Sequence, residues 1–335
     1  MAHIDLPPGY TARGASIDDA GTAAKLLRVC SMAEGGRPGF TEDDLANWWG
    51  VHYIDLAEDV CLVADEDGEL VGIEMISQAA PHVLAIAFGG VRPDHYGSGV
   101  GSALVSWALR RSGERIPLAP PDAAITIHVY AFADHEPSVS LLEGSGLDLV
   151  RYFLEMEVEF DGPPPAPLFP EGVTLRNLVP GADDMDAALM MRAAFRDHFG
   201  YVETDKEESL LRFRQRLEHP GFDPDLWGLA EAEGRLIGGV WSDHSSEGDE
   251  TMAYVATLGV AREWRGRGLG KALLLHAFGQ FHELGKRGAS LGVDADSLTG
   301  ATRLYESVGM KPVARYASFG TQLRPGVDLM TSDLG

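Results

Sequence analysis

Apolar and polar positions alternate and cluster along the chain in a way that predicts a mixed α/β fold. In the second half, Val173-Thr174-Leu175-Arg176 reads as a short strand. A helix with an acidic first turn follows over 183–192, then a polar helix over about 206–218. Two strands, 226–230 and 236–241, flank the Glu233-Gly234 turn. The run 254–260 is β-branched and apolar, and an Ala/Leu-rich helix opens at about Gly268. Residues 289–294 predict a short strand. Beyond it, Ser297 or Thr299 is the expected N-cap of a helix carrying Ala301, Leu304, Tyr305 and Val308 on one face and stopped by Gly309. Residues 312–319 predict one arm of a closing hairpin. The order β-α-α-β-β-β-α-β-α implies an α/β (α+β) mixed sheet.

The first half repeats this pattern. Tyr10-Thr11-Ala12-Arg13 and the helix from Asp18 match the opening of the second half. The segment 91–104 lies 169 positions before 260–273, with Gly97, Gly99 and Gly101 at the places of Gly266, Gly268 and Gly270. The strand pair after Asp59, with Gly68 and Gly72, matches the pair after Asp225, with Gly234 and Gly238. Two tandem domains follow, 1–160 and 173–335, joined by a proline-rich linker at 161–172 containing Gly162-Pro163-Pro164-Pro165-Ala166-Pro167.

Candidate chemistry concentrates in the second copy. Gly266, Gly268 and Gly270 let the backbone approach a ligand closely at a helix start, where free N–H groups and the helix dipole attract anions. Arg265, Arg267 and Lys271 add positive charge, so the segment reads as a pyrophosphate cradle. Lys271 stands where a dinucleotide fingerprint needs glycine, and Ala272 where a Walker loop needs Ser or Thr. The pattern that fits is Arg-x-x-Gly-x-Gly over 265–270. It resembles the coenzyme A signature of the GNAT acetyltransferase superfamily, and the two-copy arrangement resembles its mycothiol-synthase-like tandem members.

The resemblance implies an N-acetyltransferase that moves acetyl from acetyl-CoA to a primary amine of a small molecule in the C-terminal domain. It places the coenzyme on Leu258, Gly259, Val260 and the run Arg265, Gly266, Arg267, Gly268, Leu269, Gly270 and Lys271. It makes Tyr305, in Leu-Tyr-Glu-x-x-Gly-Met, the acid that protonates the thiolate. Tandem relatives carry a Glu on the strand before Leu-Gly-Val, and Tyr254 stands there. Asp243, His244, Asp249 and Glu250, just upstream, are further candidates to act through water. The substrate wall falls on 195–203, with His198 and Tyr201 as its expected contacts. In the first copy Tyr96, Ser98 and Ser102 replace the three cations and Leu142 replaces Tyr305, so that domain is expected to be degenerate and catalytically silent, either holding a coenzyme through Gly97, Gly99 and Gly101 or serving only as a scaffold.

Charge sharpens the asymmetry. Residues 1–172 hold 9 Lys/Arg against 27 Asp/Glu, net −18, and residues 173–335 hold 18 against 24, net −6. A polyanionic coenzyme is repelled less by the second half. The absence of a basic stripe argues against nucleic acid. No apolar run of about 18 residues and no secretory pattern occur, so a cytoplasmic monomer or homodimer is expected. Cys30 and Cys61 lack metal or redox spacing and read as buried thiols, and the His positions suggest no metal site. A non-catalytic acyl-CoA-binding regulator or scaffold is the alternative. A covalent cysteine route is nearly excluded, because the second copy has no Cys.

Overall fold

The computed structural model describes residues 3–219, 221–246, 248–297 and 300–331. In chain order the elements are β1 (Thr11–Gly14), α1 (Ala20–Gly35), α2 (Glu42–Trp49), α3 (Leu56–Asp59), β2 (Val60–Ala64), β3 (Leu70–Ser77), β4 (Leu84–Val91), α4 (Val100–Glu114), β5 (Ile125–Phe132), α5 (Glu136–Gly144) and β6 (Asp148–Glu159). There follow β7 (Thr174–Asn177), α6 (Asp184–Ala194), α7 (Lys206–Leu217), β8 (Trp227–Ala232), β9 (Arg235–Asp243), β10 (Met252–Val260), α8 (Leu269–Glu283), β11 (Gly288–Asp294), α9 (Ala301–Glu306) and β12 (Lys311–Arg324).

The chain forms two compact units, one comprising Met1–Phe153 with Arg315–Leu329, the other Leu154–Ala314 with Met330–Gly335. Both departures from the expected domain limits come at strands. Residues 154–159 of β6, placed by the sequence reading in the first domain, belong to the second unit. The expected hairpin arm at 312–319 is part of the single long strand β12, whose residues 315–324 belong to the first unit. There β12 pairs antiparallel with β5, with Tyr316 opposite Phe132 and Gln322 opposite Thr126. A pattern of alternating side chains fixes which face of a strand is buried and is silent about which sheet receives it.

In the first unit the strands run β1-β2-β3-β4-β5-β12, in the second β6-β11-β10-β9-β8-β7. Helices α1 and α4 bury Leu26, Leu27, Leu104 and Trp107 against the first sheet. Helices α6 and α8 bury Met190, Met191, Leu273 and Phe278 against the second. Each core helix carries its apolar residues at helical spacing, and the inner strands β2, β3, β8 and β9 are mostly buried because both faces are covered, while β1, β6, β7 and β12 carry polar, exposed positions. Cys30 and Cys61 are buried free thiols, and burial pushes both pKa values up to about 12. The cap of α9 is Gly300, in the left-handed region at φ 71°, and not Ser297; Thr299 lies outside the described residues.

Candidate active site

In the second unit β10 is the central element. It pairs antiparallel with β9, with Leu258 opposite Val240 and Val260 opposite Gly238, and a bulge interrupts the register between Val255 and Thr257. On its other side it pairs parallel with β11 only from Met252 to Tyr254. Past Tyr254 the two strands part, and residues 258–260 face the gap with one backbone edge. Gly259 is required by packing. A β-carbon there would stand 2.2 Å from Met191 Sδ and 3.2 Å from Ala194 Cβ, so α6 lies flush against the strand.

The glycine turn follows. Gly266 (φ 72°) and Gly268 (φ 87°) occupy the left-handed region, which a side chain disfavours, and Gly268 caps α8 without any side chain satisfying the first turn. Gly270 is needed for another reason: a β-carbon would meet Leu304 Cδ2 at 3.2 Å, so α9 packs against the first turn of α8. Arg267 lies exposed, its guanidinium 4.9 Å from the Trp264 ring centroid, and exposed Lys271 donates to the Ser307 carbonyl at 3.3 Å. Leu269 sends its side chain into the core, leaving only its backbone to the turn.

Arg265, expected in the cradle, turns its guanidinium inward. It donates to Asp197 Oδ2 at 2.5 Å, to the Ala194 carbonyl at 2.8 Å and to the Val260 carbonyl at 3.2 Å. It ties the end of β10 to the end of α6, and its backbone N–H is donated to the Arg262 carbonyl at 3.3 Å.

Tyr305 sits on α9 with 8% exposure, and burial pushes its pKa up to about 12, so the phenol keeps its proton throughout the neutral range. Tyr254 stands where the parallel pairing ends; a β-carbon added at Gly292 of β11 would lie 3.5 Å from its hydroxyl. His198 packs against Phe195 with centroids 4.2 Å apart and the rings tilted by 44°. Burial and then the Arg265 charge lower its pKa, against the opposing charges of Asp294 and Asp197, so it is neutral at pH 7. Tyr201 donates to Glu203 Oε2 at 3.1 Å, and burial first, then Glu203, raises its pKa. Glu203 is also held by Arg192 and Arg196.

The upstream polar residues do not gather at the cradle. His244 bonds Asp223 Oδ2 at 2.9 Å, and Asp249 accepts from the Thr251 amide and hydroxyl and pairs with Arg287. His244 directly follows the end of β9 and Asp249 precedes β10, both at the end of this strand pair away from the cradle, which follows the far end of β10 some nine residues on; at roughly 3.3 Å per residue they are remote from it. Asp243 pairs directly with Tyr254 in the ladder and stays near the parting strands. Sequence reasoning missed Asp294, whose field reaches His198 from the end of β11, and Arg216, which donates to Thr257 Oγ1 at 2.9 Å and lies over Trp241. A carboxylate closing a strand and an arginine in a helix carry no local signature of such a role.

Among the described residues no group of three or more His, Cys, Asp or Glu is arranged to hold a metal ion, and no helix is long and apolar enough to cross a membrane.

The model of the acetyltransferase (GNAT) family matches residues 25–132 and 188–310. The chain is 33% identical over 252 residues to a mycothiol acetyltransferase of Streptomyces coelicolor, covering 74% of this chain and 75% of the relative. It is 29% identical over 307 residues to one of Streptomyces griseus, covering 90% and 92%. A GCN5-related N-acetyltransferase from Sphaerobacter thermophilus superposes with a TM-score of 0.81 at 33% identity over 97% of this chain and 99% of that one. A tandem GNAT protein from the clavulanic acid biosynthesis pathway shares the fold, with a TM-score of 0.69 at 16% identity over 95% and 100%.

Proposed function

The chain belongs to the GNAT acetyltransferase family, whose members use acetyl-CoA, and from that premise we propose that its second unit transfers acetyl directly to a primary amine of a small molecule. One observation carries the reading. An uncapped, glycine-edged helix start with two exposed cations, Arg267 and Lys271, lies beside a helix bearing the buried phenol of Tyr305.

In this reading the pyrophosphate meets the N–H groups of residues 266–271, with Arg267 and Lys271 supplying charge. The thioester arm follows the free edge of β10 at 258–260, where a backbone N–H faces the carbonyl oxygen as it becomes anionic. One such donor contributes roughly 3 kcal/mol to the transition state. The amine lone pair forms the new C–N bond, the C–S bond breaks with its electrons going to sulfur, and the amine loses a proton to water. Tyr305, kept protonated by burial, donates to the sulfur as it gains charge. Tyr254 orients the incoming amine where the strands part. His198 and Tyr201 form the substrate wall. Asp197 and Glu203 are neutralised by Arg265 and by Arg192 and Arg196, which leaves Asp294 as the acid whose field reaches this wall.

The test is thiol release from acetyl-CoA against a panel of primary amines (amino sugars, polyamines and amino acids), with the product identified by mass. Turnover with one class and acetyl on nitrogen is the expected result. Acetyl found on a hydroxyl, or thiol released only by hydrolysis, overturns the acceptor assignment.

A further inference from the structure

Acetyl transfer to an amine needs a group that takes the proton the nitrogen sheds, and Tyr254 offers a phenol where tandem relatives carry a carboxylate. His198 stands close to the place where that proton is lost. Helix α6 lies flush on β10 at Gly259, and the carbonyl of its last residue, Ala194, accepts from Arg265 at 2.8 Å. The chain then turns at once. The His198 amide donates to the Phe195 carbonyl at 3.0 Å, so the imidazole stays within a turn of the strand edge at 258–260. The C-terminal segment clamps this turn: Gly200 donates to the Thr331 carbonyl and Thr331 to the Tyr201 carbonyl, both at 2.9 Å, and the Thr331 hydroxyl donates to the Arg196 carbonyl at 3.1 Å.

Three charges face the ring: Arg265, Asp294 and Asp197. Arg265 follows the end of β10 and Asp294 closes β11, so a side chain that feels both lies across the mouth of the gap between the parted strands. Phe195 covers part of the imidazole, which is half-buried, and neither ring nitrogen has a hydrogen-bond partner among the described residues. Other histidines of this unit are engaged: His219 accepts from the Gly221 amide, and His244 bonds Asp223. Burial and the Arg265 charge keep the ring neutral, with a lone pair free to take a proton. Asp197 is neutralised by the Arg265 guanidinium at 2.5 Å, so Asp294 is the acid left to support an imidazolium once it forms.

We propose that His198 is the base of the reaction: a free ring nitrogen takes, through one water, the proton that the acceptor nitrogen gives up. The assignment rests on the reading that the second unit acetylates an amine at the 258–260 edge. Attack on the thioester leaves the nitrogen positively charged and far more acidic than the free ammonium. Its N–H bond breaks as the imidazole N–H forms, the C–S electron pair goes to sulfur, and sulfur takes the Tyr305 proton. The imidazolium, faced by Asp294, then returns a proton through solvent to the Tyr305 oxygen, so the cycle neither gains nor loses one.

Single-turnover acetyl transfer by the full chain tests this across pH, with acetyl-CoA as donor and saturating glucosamine, spermidine or L-lysine as acceptor. His198→Gln fills a similar space and cannot accept the proton. Its rate at pH 7 should fall about 10²-fold with acetyl-CoA affinity unchanged, and added imidazole should restore part of it. The wild-type rate should drop about tenfold per pH unit below the lowered imidazole pKa. That limb should be absent from His198→Gln. In Asp294→Asn it should move to lower pH, because Asp294 raises the imidazole pKa, and a merely structural histidine would give no such shift. A wild-type rate or an unchanged acidic limb in His198→Gln overturns the base, while N-acetyl product from the wild type leaves the parent reading standing. A wild type that forms no N-acetyl product with any of these acceptors overturns the parent reading and the base with it. The unaltered chain is a test by itself: a rate that stays flat down to about pH 5 overturns the base even if neither variant folds.

Discussion

The two units share a backbone and differ in charge, and the difference separates what the fold needs from what the chemistry needs. In both, a parallel strand pair runs together briefly and then parts, after Ala87 in the first unit and after Tyr254 in the second. In both, a glycine on the central strand lets a helix lie flush: a β-carbon at Gly90 would meet Cys30 Cβ at 2.9 Å, and one at Gly259 would meet Met191 Sδ. In both, a left-handed glycine starts the next helix, Gly99 at φ 94° and Gly268 at φ 87°. These residues are tied to packing and backbone geometry, so a copy that changes its chemistry still keeps them. Cations and acids carry no such obligation. The first unit has lost Arg267, Lys271 and Tyr305 to Ser98, Ser102 and Leu142, and has put a carboxyl where the second has a valine.

The largest effect expected from breaking this contrast is at Tyr305. Tyr305→Phe removes the hydroxyl and leaves the ring in its buried place, so coenzyme affinity and stability should hold while kcat falls about 10²–10⁴-fold. Single-turnover kinetics read the chemical step. Wild-type rates there would make the residue structural. Transfer persisting at the original rate would also return the first unit to candidacy. That question needs the whole chain, because a fragment of residues 1–160 lacks the strand 315–324 that completes its sheet beside β5.

The acid of the first unit gives the next effect, through pH. The folded pKa of Glu74, about 8, lies above an unfolded value of roughly 4.3. Its contribution to stability is full below that lower value. As pH rises toward 8 the unfolded chain gives up the proton before the fold does, and stability is lost until the curve flattens. Glu74→Gln has no proton to lose. Between pH 4 and pH 8 its stability relative to wild type should rise by roughly 4 kcal/mol, measured by urea unfolding. Parallel curves at all pH values would mean that the carboxyl is solvated in the fold.

Much of this was legible in the sequence. Helical spacing, glycine punctuation and the internal repeat gave the order of elements and the place of the cradle, because each depends on neighbours a few residues away. What escaped depends on distant partners. Nothing local tells Arg265 to turn toward Asp197, 68 residues earlier, and nothing in β12 tells its second half to join the first unit. Glu74 did leave a signal, a lone acid in an apolar run. Its meaning required knowing that both faces of that strand are covered.

A smaller effect should come from the two exposed cations. Arg267→Ala with Lys271→Ala removes charge at the helix start without touching the core, so melting should be unchanged. Acetyl-CoA affinity should fall by roughly 1–2 kcal/mol, about 5- to 30-fold, with a shallower dependence on salt. Unchanged calorimetric affinity would move the pyrophosphate off this turn. Arg265→Ala should behave differently and cost stability, because its guanidinium joins β10 to α6.

The smallest effect, and the finest test of the comparison, is at the paired cap glycines. Gly268→Ala meets no atom within 4 Å, so its cost is the left-handed backbone alone, about 1–2 kcal/mol. Gly99→Ala carries the same backbone cost and also brings a β-carbon to 3.1 Å from Pro7 Cγ, which must shift slightly. Thermal melting should therefore show two similar losses, with Gly99→Ala equal or slightly worse. Acetyl-CoA binding should part them. If the second cradle holds the pyrophosphate by its backbone, relaxing the turn at Gly268 displaces the N–H groups and weakens the coenzyme, while Gly99→Ala leaves affinity untouched. Equal losses of affinity in the two variants would mean that both cradles hold the coenzyme, and the division of labour between the units would have to be abandoned.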